Sequence, residues 1–484
     1  MRPLTRAAVI AWAFGRRGLP WTVYRDVVRG HLHNPHCGCR ADETMARRAR
    51  RLREALESLG PTFVKLGQFL SQRPDLLPPL YLEALAELQE HAPAMPFERL
   101  RHHLEEVCIC SRHAGHEPRE SCLHCRGVHG VFQDLSSEPL ASASLAQVHR
   151  GVFRGEPVAV KILKPGVLDR LNRDLALLRR LRWVVGRGLG VQRNLPPGEL
   201  VEEFRRRLLE EVNFENEALN LTEFRAGHPD EDAVRGPRVF WELERSDVLV
   251  MELVEGRSLV GWWGSGEEGR RLARLIAEDF LRQVFLLNCF HADPHPGNLV
   301  VDGQGRVVYL DFGAVGRLDP RTKRALLRLL QAIVWNDADL AVTTVIEVGG
   351  TDPATVELAE LRAEISRIIQ LYRVRHGARW ADSVIDVARR HRIKLPRGIL
   401  LYAKATLQTE ALVKRLDPGF EMLPVLESMV LPIAEKEVAD LAARATRELP
   451  RAALDYAELV LELPDLLRRW LDASEGGHRG NQGR

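Results

Sequence analysis

The segment "FHADPHPGNLVVDGQGRVVYLDFGAVG" (residues 290–316) carries Asp293, Asn298 five residues on, and Asp311 eighteen residues beyond Asp293. Phosphoryl transfer asks little covalent chemistry of a protein. It requires a hard cation held against phosphate oxygens and a carboxylate near the attacking hydroxyl or water. Asn298 and Asp311 offer oxygen donors suited to magnesium, and Asp293 is the group to orient or deprotonate the nucleophile. A fourth group is Lys161, which ends the apolar run "VAVK" and is suited to phosphate oxygens. Such a lysine needs a carboxylate to hold it, and Glu217 in "EEVNFENEALN" is the candidate, 56 residues away. Its alternative is an ordinary solvated helix residue.

These side chains need scaffolding, and the patterning supplies it. Leu52, Leu56, Leu59, Phe63, Leu66 and Leu70 recur at threes and fours, so residues 41–92 read as helices punctuated by Pro61 and "RPDLLPP". From about 131 the runs "GVFQDL", "AQVHRGVF" and "PVAVKIL" read as short strands. Helical patterns return over 167–226, broken by "RGLGVQRNLPPGE". The run "SDVLVMELVEG" reads as a buried strand entering a linker, and 267–290 as an amphipathic helix. "DGQG" marks a hairpin inside the Asp-bearing segment. From 320 onward nearly everything reads as helix, ending in a polar tail. Between the first two strands lies "PLASASLAQVHRG" (139–151). With glycine at Ala141, Ala143 and Ala146 it would read G-x-G-x-x-G-x-V, a loop that covers nucleotide phosphates. Alanine there adds a Cβ that penalises positive φ. The expectation is a stiffer loop that favours one nucleotide state, against a plain turn in which alanine is harmless.

A chain of 484 residues with 45% hydrophobic content can bury several cores. The net charge of +3 excludes a nucleic-acid polyelectrolyte, yet residues 1–60 hold twelve arginines against five acids, including "RRARRLR" at 47–53. That arm suits an anionic membrane surface or a solvated helix face. No secretory signal and no run of the roughly 20 apolar residues a bilayer needs are visible. The expected location is cytoplasmic and peripheral to a membrane. Cys108, Cys110, Cys122 and Cys125 enclose His113 and His116 and could close a zinc site, with an iron-sulfur or redox site and free thiols as alternatives. Cys37 and Cys39 form a weaker pair.

With these residues assembled, the chain resembles the UbiB family of atypical kinases linked to coenzyme Q biosynthesis, from about residue 45 to about 420. The motifs are "KLGQ" (65–68), the alanine-rich loop, "VAVK", the glutamate helix around 211–217, "HADPHPGN" and "DFG". The resemblance implies an α+β, two-lobed protein kinase-like fold with a helical N-terminal extension and a mostly helical C-terminal lobe. The expected domains are a basic arm (1–40), the helical extension (41–107), a Cys/His-rich insert (108–130), an N-lobe (131–255), a C-lobe (256–425) and an amphipathic C-terminus with a disordered tail (426–484). It implies nucleotide contacts at Leu140, Ala141, Ser142, Ala143, Ser144, Ala146, Gln147, Val148, Lys161, Glu217, Glu252 and Val254. It also implies a lid in which Lys65 and Gln68, three apart on one helix face, point into the site, with Lys65 meeting Glu211. The family pairs that extension with Glu-x-Asp; here the second position is Asn213, one charge fewer. ATP or ADP and magnesium are the implied cofactors, with a structural zinc possible at the cysteines. An isoprenoid lipid or quinone precursor is the implied acceptor, and quinone-biosynthesis enzymes the implied partners. The expected function is ATP hydrolysis or phosphorylation of a small or lipid-like acceptor. The alternatives are a nucleotide-gated binding module with little turnover and a small-molecule phosphotransferase of the aminoglycoside kinase type, against which the "KLGQ" extension and the alanine loop count.

Overall fold

In a computed structural model of the chain the described residues are 40–71, 73, 76–88, 94–106, 126–180, 197–229, 233–262, 266–375, 380–391 and 393–429, with isolated positions at 6–13 and 432–433. The chain divides into two units, Met1–Leu423 and Pro424–Arg484; every residue discussed below belongs to the first. The six clustered cysteines, Cys37, Cys39, Cys108, Cys110, Cys122 and Cys125, lie outside the described residues. So does the amphipathic stretch after 440.

The helical extension comprises α1 (Arg40–Leu59), α2 (Pro61–Ser71), α3 (Pro79–Ala86) and α4 (Phe97–Glu106). Gly67, the glycine of "KLGQ", sits where helix α2 meets the chain after α3: a Cβ there would fall 2.2 Å from Leu88 Cδ1. Arg47, Arg50 and Arg51 are exposed on α1 together with Glu43, Glu54 and Glu57, while Ala49 and Leu52 are buried.

A short turn, α5 (Val128–Val131), leads into β1 (Asp134–Ser142), β2 (Ala146–Phe153) and β3 (Glu156–Leu163). The β2–β3 hairpin turns on Arg154 and Gly155, both at positive φ (51° and 81°), the two-residue geometry that matches strand twist. That turn fixes the register, so Val148 lies opposite Lys161 and Phe153 opposite Glu156. With β5 (Val248–Glu252) the sheet order is β1-β2-β3-β5. One face is core: Val158, Val160, Ile162, Val248 and Val250 pack with Leu100 and Leu104 of α4 and with Phe132. The other face presents Val148, Lys161 and Leu249.

Two expectations shift here. "GVFQDL" straddles a boundary: Gly130 and Val131 end the helical turn, whose Val128 and Val131 are buried, Phe132 and Gln133 are irregular, and the strand begins only at Asp134. The alanine-rich stretch is mostly strand: Leu140, Ala141 and Ser142 end β1, Ala146, Gln147 and Val148 begin β2, and only residues 143–145 form the turn.

Helices α6 (Val167–Arg180), α7 (Pro197–Glu211) and α8 (Phe214–Gly227) follow, then the small strands β4 (Val234–Arg235) and β6 (Gly256–Ser258). The second lobe opens with α9 (Glu267–Arg282). Strands β7 (Phe290–His291), β8 (Leu299–Asp302), β9 (Val307–Tyr309) and β10 (Val315–Gly316) then carry the Asp-bearing segment. Helices α10 (Pro320–Trp335), α11 (Ala338–Gly349), α12 (Leu358–Arg375), α13 (Trp380–Arg390) and α14 (Arg397–Leu416) complete it. Among the described residues no helix is long and apolar enough to cross a membrane.

Candidate active site

Helix α8 is set by its first turn. Asn213 caps it by accepting the Glu215 N–H, and the Phe214 N–H donates to the Ser246 carbonyl, which ties the helix start to the sheet. Glu217, Ala218, Leu221 and Phe224 are buried along one face. Glu217 is thereby aimed at β3, where Lys161 Nζ donates to both its oxygens at 2.7 and 2.8 Å. The Lys161 ammonium is 3.6 Å from Asp311 Oδ2 and 5.3 Å from the Phe214 ring centroid. Burial alone would lower the Lys161 pKa; Asp311 and Glu217 outweigh it and raise the pKa, so the ammonium is charged. For Asp311 burial opposes ionisation, but Lys161 and the Gly313 N–H bring the carboxyl to about 2.

The same helix grips the DFG segment. Glu217 Oε1 accepts the Phe312 N–H at 3.4 Å, and Asn220 Nδ2 donates to the Phe312 carbonyl at 3.0 Å. The Phe312 ring is fully buried against Phe224 (4.8 Å between centroids) and His291 (5.4 Å). His291 joins the two acidic loops. Its Nδ1 accepts the Asp293 N–H at 3.2 Å and its Nε2 donates to the Asp311 carbonyl, and burial lowers its pKa, so it is the neutral tautomer. The β7–β10 pairing, Val315 opposite His291, brings the loops side by side.

Asp293 is held from elsewhere. Gln408 Nε2 donates to its Oδ1 at 2.6 Å and Lys404 Nζ lies 3.4 Å from the same oxygen. Burial opposes ionisation of Asp293; Lys404 and then Gln408 outweigh it, and the pKa sits below the ordinary value. Asn298 Nδ2 donates to the Asp293 carbonyl at 3.2 Å, which leaves its Oδ1 without a donor among the described residues. A free amide oxygen and an ionised Asp311 fit a magnesium ion, a cation that takes oxygen ligands. Among the described residues no group of three or more His, Cys, Asp or Glu converges as a further metal site.

Lys65 of α2 pairs with Glu211 at the end of α7, and its charge contributes to keeping Asp311 ionised. Gln68 does not join it: its amide donates to the Leu88 carbonyl at 3.1 Å, within the extension. Gln147 also departs from expectation. It is fully buried on the core face of the sheet, where its side chain engages both the N–H and the carbonyl of Met95 and lies 3.3 Å from His149 Nε2. Register is the reason, since Val148 shares the face of Lys161 and Gln147 must point the other way. The Glu252 carboxylate is taken by Arg235 through two hydrogen bonds, at 2.9 and 3.0 Å, and its N–H by the Arg238 carbonyl at 2.8 Å, so neither its side chain nor its N–H is left to a ligand. Val254 follows β5 half-buried.

The alanine turn is closed internally. The Ala143 N–H donates to the Ala146 carbonyl at 2.9 Å, and buried Lys164 donates to Ser142 Oγ (3.0 Å) and the Ala143 carbonyl (2.7 Å). Ser144 is buried and Leu140 is exposed. None of residues 140–148 has positive φ, so alanine meets no backbone penalty here.

His291, Asn220, Lys404 and Gln408 are absent from the sequence reading. His291 could have been found, because it stands two residues before Asp293 in the same motif. Lys404 and Gln408 carry no local signal.

Comparison with known proteins fits this geometry. Residues 120–345 match the ABC1 atypical kinase-like domain. Three proteins of Synechocystis sp., each carrying the description uncharacterized protein, are similar. They are slr0889 (30% identical, covering 74% of this chain and 88% of its own), sll1770 (28%, 98% and 80%) and sll0005 (31%, 79% and 55%). Among solved structures, that of the Rv3197–erythromycin complex from Mycobacterium tuberculosis is 24% identical with a TM-score of 0.52. It covers 78% of this chain and 94% of its own, and at that identity the likeness concerns the kinase-like fold.

Proposed function

The chain belongs to the ABC1 atypical kinase family, of UbiB/AarF type, and from that premise we propose that it transfers the γ-phosphoryl group of ATP to water or to a hydroxyl of a small or lipid-like molecule. The observation that carries the reading is the Lys161–Glu217–Asp311 cluster joined through His291 to Asp293, a complete set of charges for nucleotide chemistry. Lys161, fixed by Glu217, binds phosphate oxygens. Asp311 and Asn298 would hold magnesium, which when bound neutralises charge on the β- and γ-phosphates. Asp293 accepts the proton of the attacking hydroxyl as the new P–O bond forms and the bond to ADP breaks.

The acceptor class rests on the Lys65–Glu211 contact. It holds the extension helix against the nucleotide-facing residues, an arrangement that leaves little room for an extended peptide. Isoprenoid phenols and quinone precursors fit the resemblance. The support for an anionic membrane surface is the excess of arginine over acid in residues 1–60, since on α1 itself the exposed arginines are matched by exposed glutamates.

The test is phosphate release from Mg-ATP, with and without anionic liposomes and isoprenoid phenols, beside an Asp311→Asn control. Turnover that rises with lipid or phenol and is lost in the control supports the proposal. Turnover unchanged in Asp311→Asn sinks it.

A further inference from the structure

The loop "HADPHPGN" contains no lysine or arginine, and none occurs from His291 to Asp302. Its cation arrives from α14, where Lys404 and Gln408 stand one helical turn apart on one face. That helix is anchored independently of the loop. Tyr402 is fully buried, stacked on Phe280 (6.1 Å, 11° between planes) and edge-on to Phe285, and Ala405 and Leu412 are buried on the same side. Both converge on Oδ1 of Asp293, Gln408 as a hydrogen-bond donor at 2.6 Å and Lys404 as an ion pair at 3.4 Å. The other carboxylate oxygen, Oδ2, has no donor among the described residues. The backbone of Asp293 is fixed separately, by His291 at its N–H and by His295 and Asn298 at its carbonyl.

We infer that Lys404 and Gln408 are positioning residues that lock the Asp293 carboxylate in one orientation, so that Oδ2 alone faces the acceptor hydroxyl and takes its proton. This rests on the reading of Asp293 as the catalytic carboxylate. The physical argument is one of geometry: a carboxylate bonded at one oxygen loses the freedom to rotate its second oxygen away, and small misplacements of a reacting group cost large factors in rate. Neither residue need touch the nucleotide, so ground-state binding should be indifferent to them.

The test uses the full chain with Mg-ATP, water as acceptor, and enzyme in excess for single-turnover rates. Lys404→Met and Gln408→Met should each lower the rate about 10- to 100-fold with the Kd for Mg-ATP within about twofold. Lys404→Arg, which keeps the charge, should restore most of the rate. Because both act through Asp293, adding either substitution to Asp293→Asn should cost nothing further. A Lys404→Met enzyme that is folded and turns over at the wild-type rate overturns the inference, as does an equal loss in the Asp293→Asn background. Should Lys404→Met fail to fold, Gln408→Met carries the same comparison. Wild-type turnover in Asp293→Asn itself would instead overturn the reading beneath it, and the two failures are thus told apart.

Discussion

The site has two acidic centres built in different ways. Asp311 belongs to a cluster whose members neutralise one another: Lys161 meets both Glu217 and Asp311, and α8 grips the Phe312 peptide through Glu217 and Asn220. Asp293 has no such partner in its own loop and is held by α14, 111 and 115 residues further along. The first centre is therefore part of the fold's stability, since breaking a buried pair leaves a charge uncompensated. The second is nearly separable from it. Exposure does not distinguish the two carboxylates, the Asp293 side chain being 33% and that of Asp311 47% exposed, but Asp293 is oriented by side chains on an independently anchored helix, whereas Asp311 shares its cation with the buried Glu217. The contrast predicts that substitutions at the first centre damage both stability and binding, whereas those around Asp293 damage rate.

The largest expected effect is at Lys161. Replacing it with methionine leaves Glu217, 4% exposed, without its cation. The loss of stability should be about 3–5 kcal/mol, together with loss of Mg-ATP binding. Chemical denaturation and calorimetric titration read the two separately. A variant as stable as the wild type that has lost only nucleotide affinity would erase the distinction between the two centres.

The same contrast explains what could be read in the sequence. Lys161, Glu217, Asp293, Asn298 and Asp311 were legible because each lies in a short motif whose residue types announce charge in an apolar setting. The fold was legible from hydrophobic period and from the "DGQG" hairpin. The Arg154-Gly155 turn held further information: counting back from it gives the Val148–Lys161 pairing, and with it the inward face of Gln147. Asn213 was visible as a lost carboxylate but not as a helix cap, a role that asparagine and aspartate fill about equally. Lys404 and Gln408 were not legible at all, since a lysine and a glutamine on an amphipathic helix look like surface residues until tertiary packing turns that face inward. Gln68 was misplaced for a related reason: helix spacing put it beside Lys65, but Leu88 offered a nearer acceptor.

A buried chain of hydrogen bonds that ends on the backbone N–H of His291, the residue joining the two centres, sharpens the comparison. The His228 ring donates from Nε2 to Asp279 Oδ1 (2.7 Å) and from Nδ1 to the Phe224 carbonyl (2.9 Å), two acceptors that call for the doubly protonated ring. Asp279 also accepts from Gln283, whose Oε1 accepts the His291 N–H at 2.9 Å. Burial lowers the His228 pKa, but Asp279 outweighs it and the net shift is upward from 6.5. A raised pKa means that the folded state binds the proton more tightly. The stabilisation is complete below the unfolded value of about 6.5 and fades as pH rises through the folded value. The Tm gap between wild type and His228→Gln should therefore be widest near pH 6 and narrow on going to alkaline pH, with about 1.5–3 kcal/mol at the acidic end. A gap that is constant across that range, or widens upward, contradicts the charged ring. A loss of turnover accompanying the loss of stability would show that these bonds serve the junction at His291.

The smallest effect is expected over the first centre, at the alanine turn. Ala143 has ordinary negative φ, and its N–H is already bonded to the Ala146 carbonyl, so the turn neither needs glycine nor offers that N–H to a phosphate. Glycine at this position adds freedom chiefly to the unfolded chain, and Ala143→Gly should lower stability by about 0.5–1 kcal/mol. Its effect on nucleotides separates two ideas about the loop. If alanine acts as a brake by keeping backbone N–H groups away from the phosphates, the added freedom lets the turn open toward ATP, and affinity for ATP rises relative to ADP along with autophosphorylation. If the turn is simply a closed shape in which alanine is harmless, both affinities fall together by a factor of a few and autophosphorylation does not rise. The bonds of Lys164 to Ser142 and to the Ala143 carbonyl favour the second outcome, because they survive the substitution and hold the turn shut. A selective gain for ATP in Ala143→Gly would mean that the Ala143 Cβ, and not the Lys164 clamp, is what keeps the turn from opening toward the phosphates.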